Sequence, residues 1–328
     1  MKLFRTLALA ALVVVSNGAL AQSISIPGAT PSSEFLISTS GSYKLDGNRF
    51  SGFGFSQTNL TVRSVIRIQA NDVTIDLGGH TIGYATTSCN SSSIPVTCSV
   101  PTSGGAANSR ILHGISVAPG VRNVTIRNGK VVGTWDDAIQ CGEQCVIENI
   151  SIRNSNGRGI HALKGATVRN VTVESTVGAG VQVSEGSIVN DVIVRYANNT
   201  GVWGSIGSHL SNIVVSDVGM TGIVISDGSL NGCTVSRIGI QVGSSGSTGV
   251  DASGSNIENC SVNSARIGAA LLSGAALRNS TIVGASVFGV SGSSNSSISN
   301  VTMSSVNASS PVSGVTSLGG NMCNGVSC

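Results

Sequence analysis

Charge is the scarcest property of this chain. Asp, Glu, Lys and Arg make up 10% of its 328 residues, and Phe, Trp and Tyr only 3%. Setting aside Lys2 and Arg5, which lie in the leader described below, 16 of the 18 basic residues remain against 15 acidic ones. That balance excludes a basic nucleic-acid footprint. Long apolar runs are also missing. After residue 21 nothing approaches the roughly 20 residues that cross a bilayer, so no membrane insertion is expected. Strong helix formers are sparse beside 43 Gly and abundant Ser, Val, Ile, Asn and Thr, a composition of strands and tight turns. Low charge alone would suit a disordered chain, but a mean hydropathy of +0.29 and regular apolar spacing oppose it.

Residues 1–21 read as a secretory leader. Lys2 and Arg5 make a positive start, Leu7 to Val15 is apolar, and Ala19-Leu20-Ala21 is a small-x-small cleavage site. No Cys follows it, which argues against a lipid anchor. The mature chain is therefore expected to be secreted or periplasmic, and monomeric. The eight Cys are even in number, and an exported chain permits disulfides. Cys89 with Cys98, Cys141 with Cys145, and Cys323 with Cys328 are each close enough in sequence to clip a loop or the terminus. No His stands at zinc-finger spacing from any of these pairs, so neither a metal nor a cofactor is expected.

The apolar pattern repeats. A polar-apolar-x-apolar phrase starts at Asp72, Asn123, Asn149, Asn170, Asp191, Asn212, Gly232, Asn259, Asn279 and Asn300. From Asn149 onward the steps are 21, 21, 21, 20, 27, 20 and 21 residues, the 27 holding the insert Gly243 to Gly249. Aligned on this phrase, apolar columns appear. One runs Val121, Ile147, Val168, Val189, Leu210; a second Val124, Ile150, Val171, Val192, Ile213, Cys233, Cys260; a third Ile126, Ile152, Val173, Val194, Val215. A fourth, in a second strand, runs Ile139, Ile160, Val181, Val202, Ile223. Period two within each strand puts these columns on one face. A short strand cannot bury that face alone, but stacking coils at about 4.8 Å does. The expectation is an all-β right-handed parallel β-helix of about ten coils over residues 70–310. An irregular cap over 22–69 precedes it, and a tail over 311–328 follows. A leucine-rich repeat would need its Leu-x-x-Leu-x-Leu phrase, which is absent. Cys233 and Cys260 share an inward column on adjacent coils, either as stacked thiols or as a disulfide. Thiols are favoured, because in-register parallel strands offer poor disulfide geometry.

The same alignment places outward residues. His113, Asp137 and Arg158 fall at one position on successive coils; three residues later come Ser116, Gln140, His161, Gln182 and Trp203. This strip suits a saccharide groove. Arg158 would pair with a carboxylate, His161 would act as a base and Asp137 would assist. His113, Gln140, Gln182 and Trp203 would hold the sugar. The same residues also read as an ordinary ion pair between coils with a Trp covering an edge. A second outward column, Asp76, Arg127, Arg153, Glu174 and Arg195, reads as a ladder of ion pairs, with Arg127 beside Arg153 left partly unpaired. A continuous Thr array, as an ice-binding face needs, breaks at Ile193.

The phrase "NDVTIDLGGHTIG", Asn71 to Gly83, resembles the first-coil phrase of the pectate-lyase-like superfamily, and the likeness extends over about residues 70–303. The resemblance implies extended saccharide binding along an outer face. Asp136-Asp137 resembles the Asp pair of polygalacturonases, but their Gly-His-Gly and Arg-x-Lys are absent, as is the Asp-Pro-His-Asp of alginate epimerases. The function expected is an exported protein that interacts with a polysaccharide, with catalysis left open. The alternative is a non-catalytic structural or adhesive solenoid.

Overall fold

The computed structural model describes residues 23–28, 34–51, 63–84, 88–89, 95–99, 112–239, 246–307 and 311–328. The leader assigned to 1–21 lies outside them, as does part of the Gly243–Gly249 insert. The chain is a right-handed parallel β-helix of about 12 turns with a repeat of roughly 21 residues. No described helix is long and apolar enough to cross a membrane.

Each coil contributes one short strand and one long, bent one. The short strands, such as Ile139–Cys141, Ile160–Ala162, Val181–Val183 and Thr200–Gly204, stack into a 12-stranded sheet. The long ones, Val146–Ser155, Thr167–Thr176, Ile188–Ala197 and His209–Val218, stack into the other main sheet. Each long strand bends at two residues in the left-handed region. Asn149, Asn170, Asp191 and Asn212 have φ between 51° and 56°, and Asn154, Ser175, Tyr196 and Asp217 between 55° and 62°. Asn and Asp tolerate that conformation better than most residues, which is why the repeat phrase starts with them. Their side chains then pair between coils. Asn170 Nδ2 donates to Asn149 Oδ1 at 2.7 Å, and Asn212 Nδ2 to Asp191 Oδ1 at 3.0 Å.

The interior is filled by the aligned columns. Ile150, Val171, Val192, Ile213, Cys233 and Cys260 are in register and buried, as are Ile139, Ile160, Val181, Val202 and Ile223. At about 25 cal/mol per Å² these repeated aliphatic contacts are the main stabilising term.

Three expectations change. First, Asn123 does not stack on Asn149. Asn123 Nδ2 donates to Asp72 Oδ1 at 3.0 Å, whereas Asn149 Nδ2 donates to Asn128 Oδ1 at 3.0 Å. The strand Val124–Thr134 carries two Asn-centred phrases in one coil, so the 26-residue step is an ordinary 21 plus five. The columns drawn through Val121 and Val124 run instead through Ile126, opposite Ile147, and Gly129, opposite Ile150. Arg127 therefore lies beside Asp76 and Glu148, and Arg153 beside Glu174. Their Nε atoms sit 3.2 Å and 2.9 Å from Asp76 and Glu174 carboxylate oxygens, so the expected surplus of positive charge is not there.

Second, stacking begins well before Asp72. Phe35–Ile37 pairs with Arg63–Ile68, which pairs with Leu112–Val117. Third, Cys233 and Cys260 are bonded to each other rather than held as thiols. Register brings their Cα atoms to 4.4 Å, the near end of the usual disulfide span. Cys89–Cys98, Cys141–Cys145 and Cys323–Cys328 are joined as well. Peptide mapping without reduction is expected to recover four linked pairs, including a Cys233–Cys260 cross-link between adjacent coils. A free thiol at either position after denaturation in alkylating reagent would contradict that pairing.

Candidate functional site

The site grows from the outward side of the short-strand sheet. Register along one outer column runs Arg67, Ser116, Gln140, His161, Gln182, Trp203, Val224 and Asp251. Gly159 and Gly180 open two of these strands. A Cβ at Gly159 would lie 2.5 Å from the Gly180 carbonyl oxygen and 2.5 Å from the Val173 side chain. Only glycine lets the chain approach this closely, so the short strand and its neighbour can both seat their inward Val columns.

Asp137 and Arg158 stack as expected and make a tight pair. Asp137 Oδ1 accepts from the Arg158 backbone N–H at 2.9 Å and from its Nε at 3.0 Å; Oδ2 accepts from Nη2 at 2.9 Å. The remaining arm, Nη1, donates to Gln182 Oε1 at 3.1 Å. Asp137 is only 1% exposed. It holds Arg158 rather than meeting solvent, and Arg158 spends its fork on Asp137 and Gln182. His113 is a correction to the outer strip. It is 2% exposed and its Nδ1 lies 3.3 Å from the Asp137 carbonyl oxygen. It is thus a buried prop of the Asp137 turn. Trp203 is 42% exposed, two coils beyond His161.

A cleft of about 210 Å³ opens beside this pair. Arg67, Ser116, Gln140 and His161 line it together with Pro119 and Leu163. Arg67 is missing from the strip that the sequence suggests, because it falls in the segment 22–69, which reads as an irregular cap. The alternation Ile66-Arg67-Ile68 carries the signal, since Ile66 and Ile68 are buried and Arg67 lies outward between them. Arg67 Nη1 is 4.0 Å from Glu34 Oε2, a loose pairing that leaves the guanidinium available. Glu34 is held instead by Ser64, whose N–H and hydroxyl donate to Oε1 at 2.9 Å and 2.8 Å.

Electrostatics divides the titratable groups. Burial lowers the pKa of His161 below its usual value, the Arg158 charge adds to this, and Asp137 opposes. His161 is therefore a neutral imidazole at pH 7. Its Nδ1 is 3.6 Å from Asp137 Oδ2, too long for a hydrogen bond, and has no hydrogen-bond partner among the described residues. Asp136 is pushed up, first by burial and then by the neighbouring Asp137 charge. Asp251 is pushed up by burial alone. His113, Asp136 and Asp137 bring one ligand atom each within 4.8 Å of one another. Both Asp137 carboxylate oxygens are already committed to Arg158.

The Asp136 shift has a sign that can be checked. A carboxyl whose folded pKa is raised gives stability below its unfolded value and loses it as pH rises. Asp136→Asn is therefore expected to raise the melting midpoint at pH 7, by about 1–3 °C after allowance for its partial exposure. Near pH 3, where the carboxyl is protonated in both states, the gain vanishes. An equal gain at both pH values would locate the effect elsewhere.

No protein-family model matches the chain, and no curated protein sequence does. Solved structures do. A catalytic domain of a GH87 α-1,3-glucanase in complex with tetrasaccharides superposes with TM-score 0.63 and 15% identity, over 91% of this chain. This chain spans only 64% of that one. The A-module of the Azotobacter vinelandii mannuronan C-5 epimerase AlgE6 gives 0.54 and 14%, over 93% of this chain and 91% of that one. A Family 28 exopolygalacturonase of Yersinia enterocolitica gives 0.56 and 11%, over 90% and 72%. At these identities the likeness is one of fold alone, a right-handed parallel β-helix.

Proposed function

We propose that this protein binds an acidic polysaccharide along the outer strip of its short-strand sheet, with one uronate carboxylate seated at Arg67. The observation that carries this reading is the cleft in which a loosely paired guanidinium, a neutral imidazole and a carboxamide converge. Arg67 supplies charge-assisted hydrogen bonds to the carboxylate. Gln140 and His161 offer donors and acceptors to ring hydroxyls. Trp203 supplies an exposed aromatic face two coils away, about 10 Å along the stack, a spacing that suits a neighbouring sugar. Asp137 and Arg158 position this floor without touching the ligand. The structural neighbours support the reading to the extent of their names, two of which denote uronic-acid polymers. Four disulfides fit a chain that folds in an oxidising, exported compartment.

Calorimetric titration of the protein with polygalacturonate, alginate and a neutral glucan tests it. Saturable binding to a polyuronate, weaker at high salt and absent with the neutral glucan, is expected. The same samples read turnover, because a lyase would generate absorbance from new double bonds. Binding to none of the polymers would favour a structural or adhesive solenoid, a reading supported by the shortage of free acids and aromatics at the cleft.

A further inference from the structure

The floor of the cleft carries a short chain of hydrogen bonds whose direction can be worked out. Ser64 and Ser116 are 4% and 3% exposed. Their hydroxyl oxygens lie 2.8 Å apart. Ser64 Oγ also lies 2.8 Å from Glu34 Oε1, which accepts the Ser64 backbone N–H at 2.9 Å as well. A carboxylate oxygen only accepts, so the single hydroxyl proton of Ser64 goes to Glu34. Ser64 then has no hydroxyl proton left to give, and the bond between the two hydroxyls runs from Ser116 to Ser64. That commits the only hydroxyl proton of Ser116. Its Oγ keeps lone pairs alone for the cleft that Ser116 lines.

A free serine hydroxyl both donates and accepts, whereas Ser116 is held as an acceptor. Its place in the outer column gives that polarity a consequence. Ser116 stands opposite Arg67 on one neighbouring coil and Gln140 on the other. Adjacent coils are about 4.8 Å apart, so Arg67 and Ser116 can face two groups of one sugar ring. Arg67 presents donors only, and Ser116 an acceptor only. Together they are complementary to a carboxylate at Arg67 and a hydroxyl at Ser116. A carboxylate oxygen placed at Ser116 would meet another acceptor with no proton between them, and both would lose water without gaining a bond.

We propose that Ser116 is a specificity-determining residue that demands a free hydroxyl beside the carboxylate held at Arg67, and that Ser64, fixed by Glu34, is its positioning residue. The inference rests on the polysaccharide-binding reading above and narrows its ligand to a polyuronate with unsubstituted ring hydroxyls. An O-acetyl group removes the hydroxyl proton and sets a carbonyl oxygen, a second acceptor, against Ser116. A site built to pair a hydroxyl rejects an analogue that lacks it, because the site's own buried polar group is then left unpaired.

The test joins a ligand-free reading to a binding one. Neutron diffraction from crystals of the protein grown in heavy water locates the deuteron on Ser116 Oγ. It is expected on the line to Ser64 Oγ, and a deuteron aimed into the cleft would overturn the inference. Calorimetry then compares polygalacturonate with its O-acetylated form on wild type, Ser116→Ala and Ser64→Ala. Wild type is expected to prefer the unacetylated polymer about tenfold. Both variants should shrink that preference to about threefold or less, from opposite sides. Ser116→Ala weakens binding of the unacetylated polymer, because the acceptor is gone. Ser64→Ala tightens binding of the acetylated one, because the released Ser116 hydroxyl can turn and donate to the acetyl carbonyl. Crowding by the acetyl groups alone would keep the preference at full size in both variants, and that result would overturn the role of Ser116. So would a wild type that binds both forms equally. If wild type binds neither polymer, the polysaccharide-binding reading itself fails and the selectivity fails with it, whatever the deuteron position shows.

Discussion

Ile213→Asp is expected to leave the chain unfolded, while Val214→Asp one residue later folds. Ile213 is fully buried, between Val192 on one coil and Cys233 on the next. A carboxylate there meets the apolar side chains of Val192 and Cys233, and no cation lies among the stacked inward columns. Burying an unpaired charge costs several kcal/mol even after relaxation, against a total stability on the order of 5–15 kcal/mol. Damage to one coil also spreads, because each coil of a solenoid is stabilised by its two neighbours. Val214 faces the other way, is 36% exposed, and sits beside Ile193 and Thr234 on the outer face. An Asp there changes the surface and little else. Val192→Asp should repeat the Ile213 result, since it occupies the same inward column. Thermal melts by circular dichroism, with soluble yield as a second reading, separate the two faces. Equal melting of Ile213→Asp and Val214→Asp would mean that the inward register is wrong, because a one-residue slip exchanges the faces.

That contrast shows why the fold was legible in the sequence. Inward positions recur at a fixed step from Asn149 onward, and any side chain wrong for the core would break a column. The corners were legible for a related reason: Asn149, Asn170 and Asp191 must adopt a left-handed backbone, so the polar residue returns with the apolar ones. Legibility failed where spacing alone was ambiguous. Asn123 and Asn128 both open a suitable phrase, and the pairing of Asn128 with Asn149 in the folded chain chooses between them. It failed again before Asp72, where irregular connections hide the coils that contain Glu34 and Arg67. The site was legible only as a list of outward residues. Sequence register stacked Asp137 on Arg158 correctly. It could not tell that Asp137 would be sealed and His113 buried, because burial of an outward residue depends on what crosses over it. Nor does any local pattern link Val96 to Asn198, whose carboxamide bonds the Val96 backbone across 102 residues of sequence.

Arg67→Ala is expected to cost the largest share of polyuronate affinity, about 10- to 100-fold. That range follows from losing charge-assisted hydrogen bonds worth roughly 1.5–3 kcal/mol. Arg67→Lys keeps the charge and loses the planar fork, so it should recover part of the loss. Arg158→Ala should behave differently. It strips a buried Asp137 of its cation and is expected to lower the melting midpoint more than it changes affinity. His161 supplies a pH dependence whose direction can be worked out. Its folded pKa is lowered, by burial first and by Arg158 second, so it is neutral at pH 7 and gains a proton only below the usual range near 6.5. A proton gained there adds a second cation to the cleft while uronate carboxylates, with pKa values near those of ordinary carboxylic acids, remain ionised. Affinity for polygalacturonate should therefore rise as pH falls from 7 toward 5. His161→Ala should flatten that rise without abolishing binding at pH 7. The rise must be read against stability, because a depressed His pKa also makes the fold less stable as pH falls. Melting curves at each pH define the usable range. If Arg67→Ala binds as tightly as wild type and the pH rise survives His161→Ala, the anionic ligand sits on some other part of the solenoid.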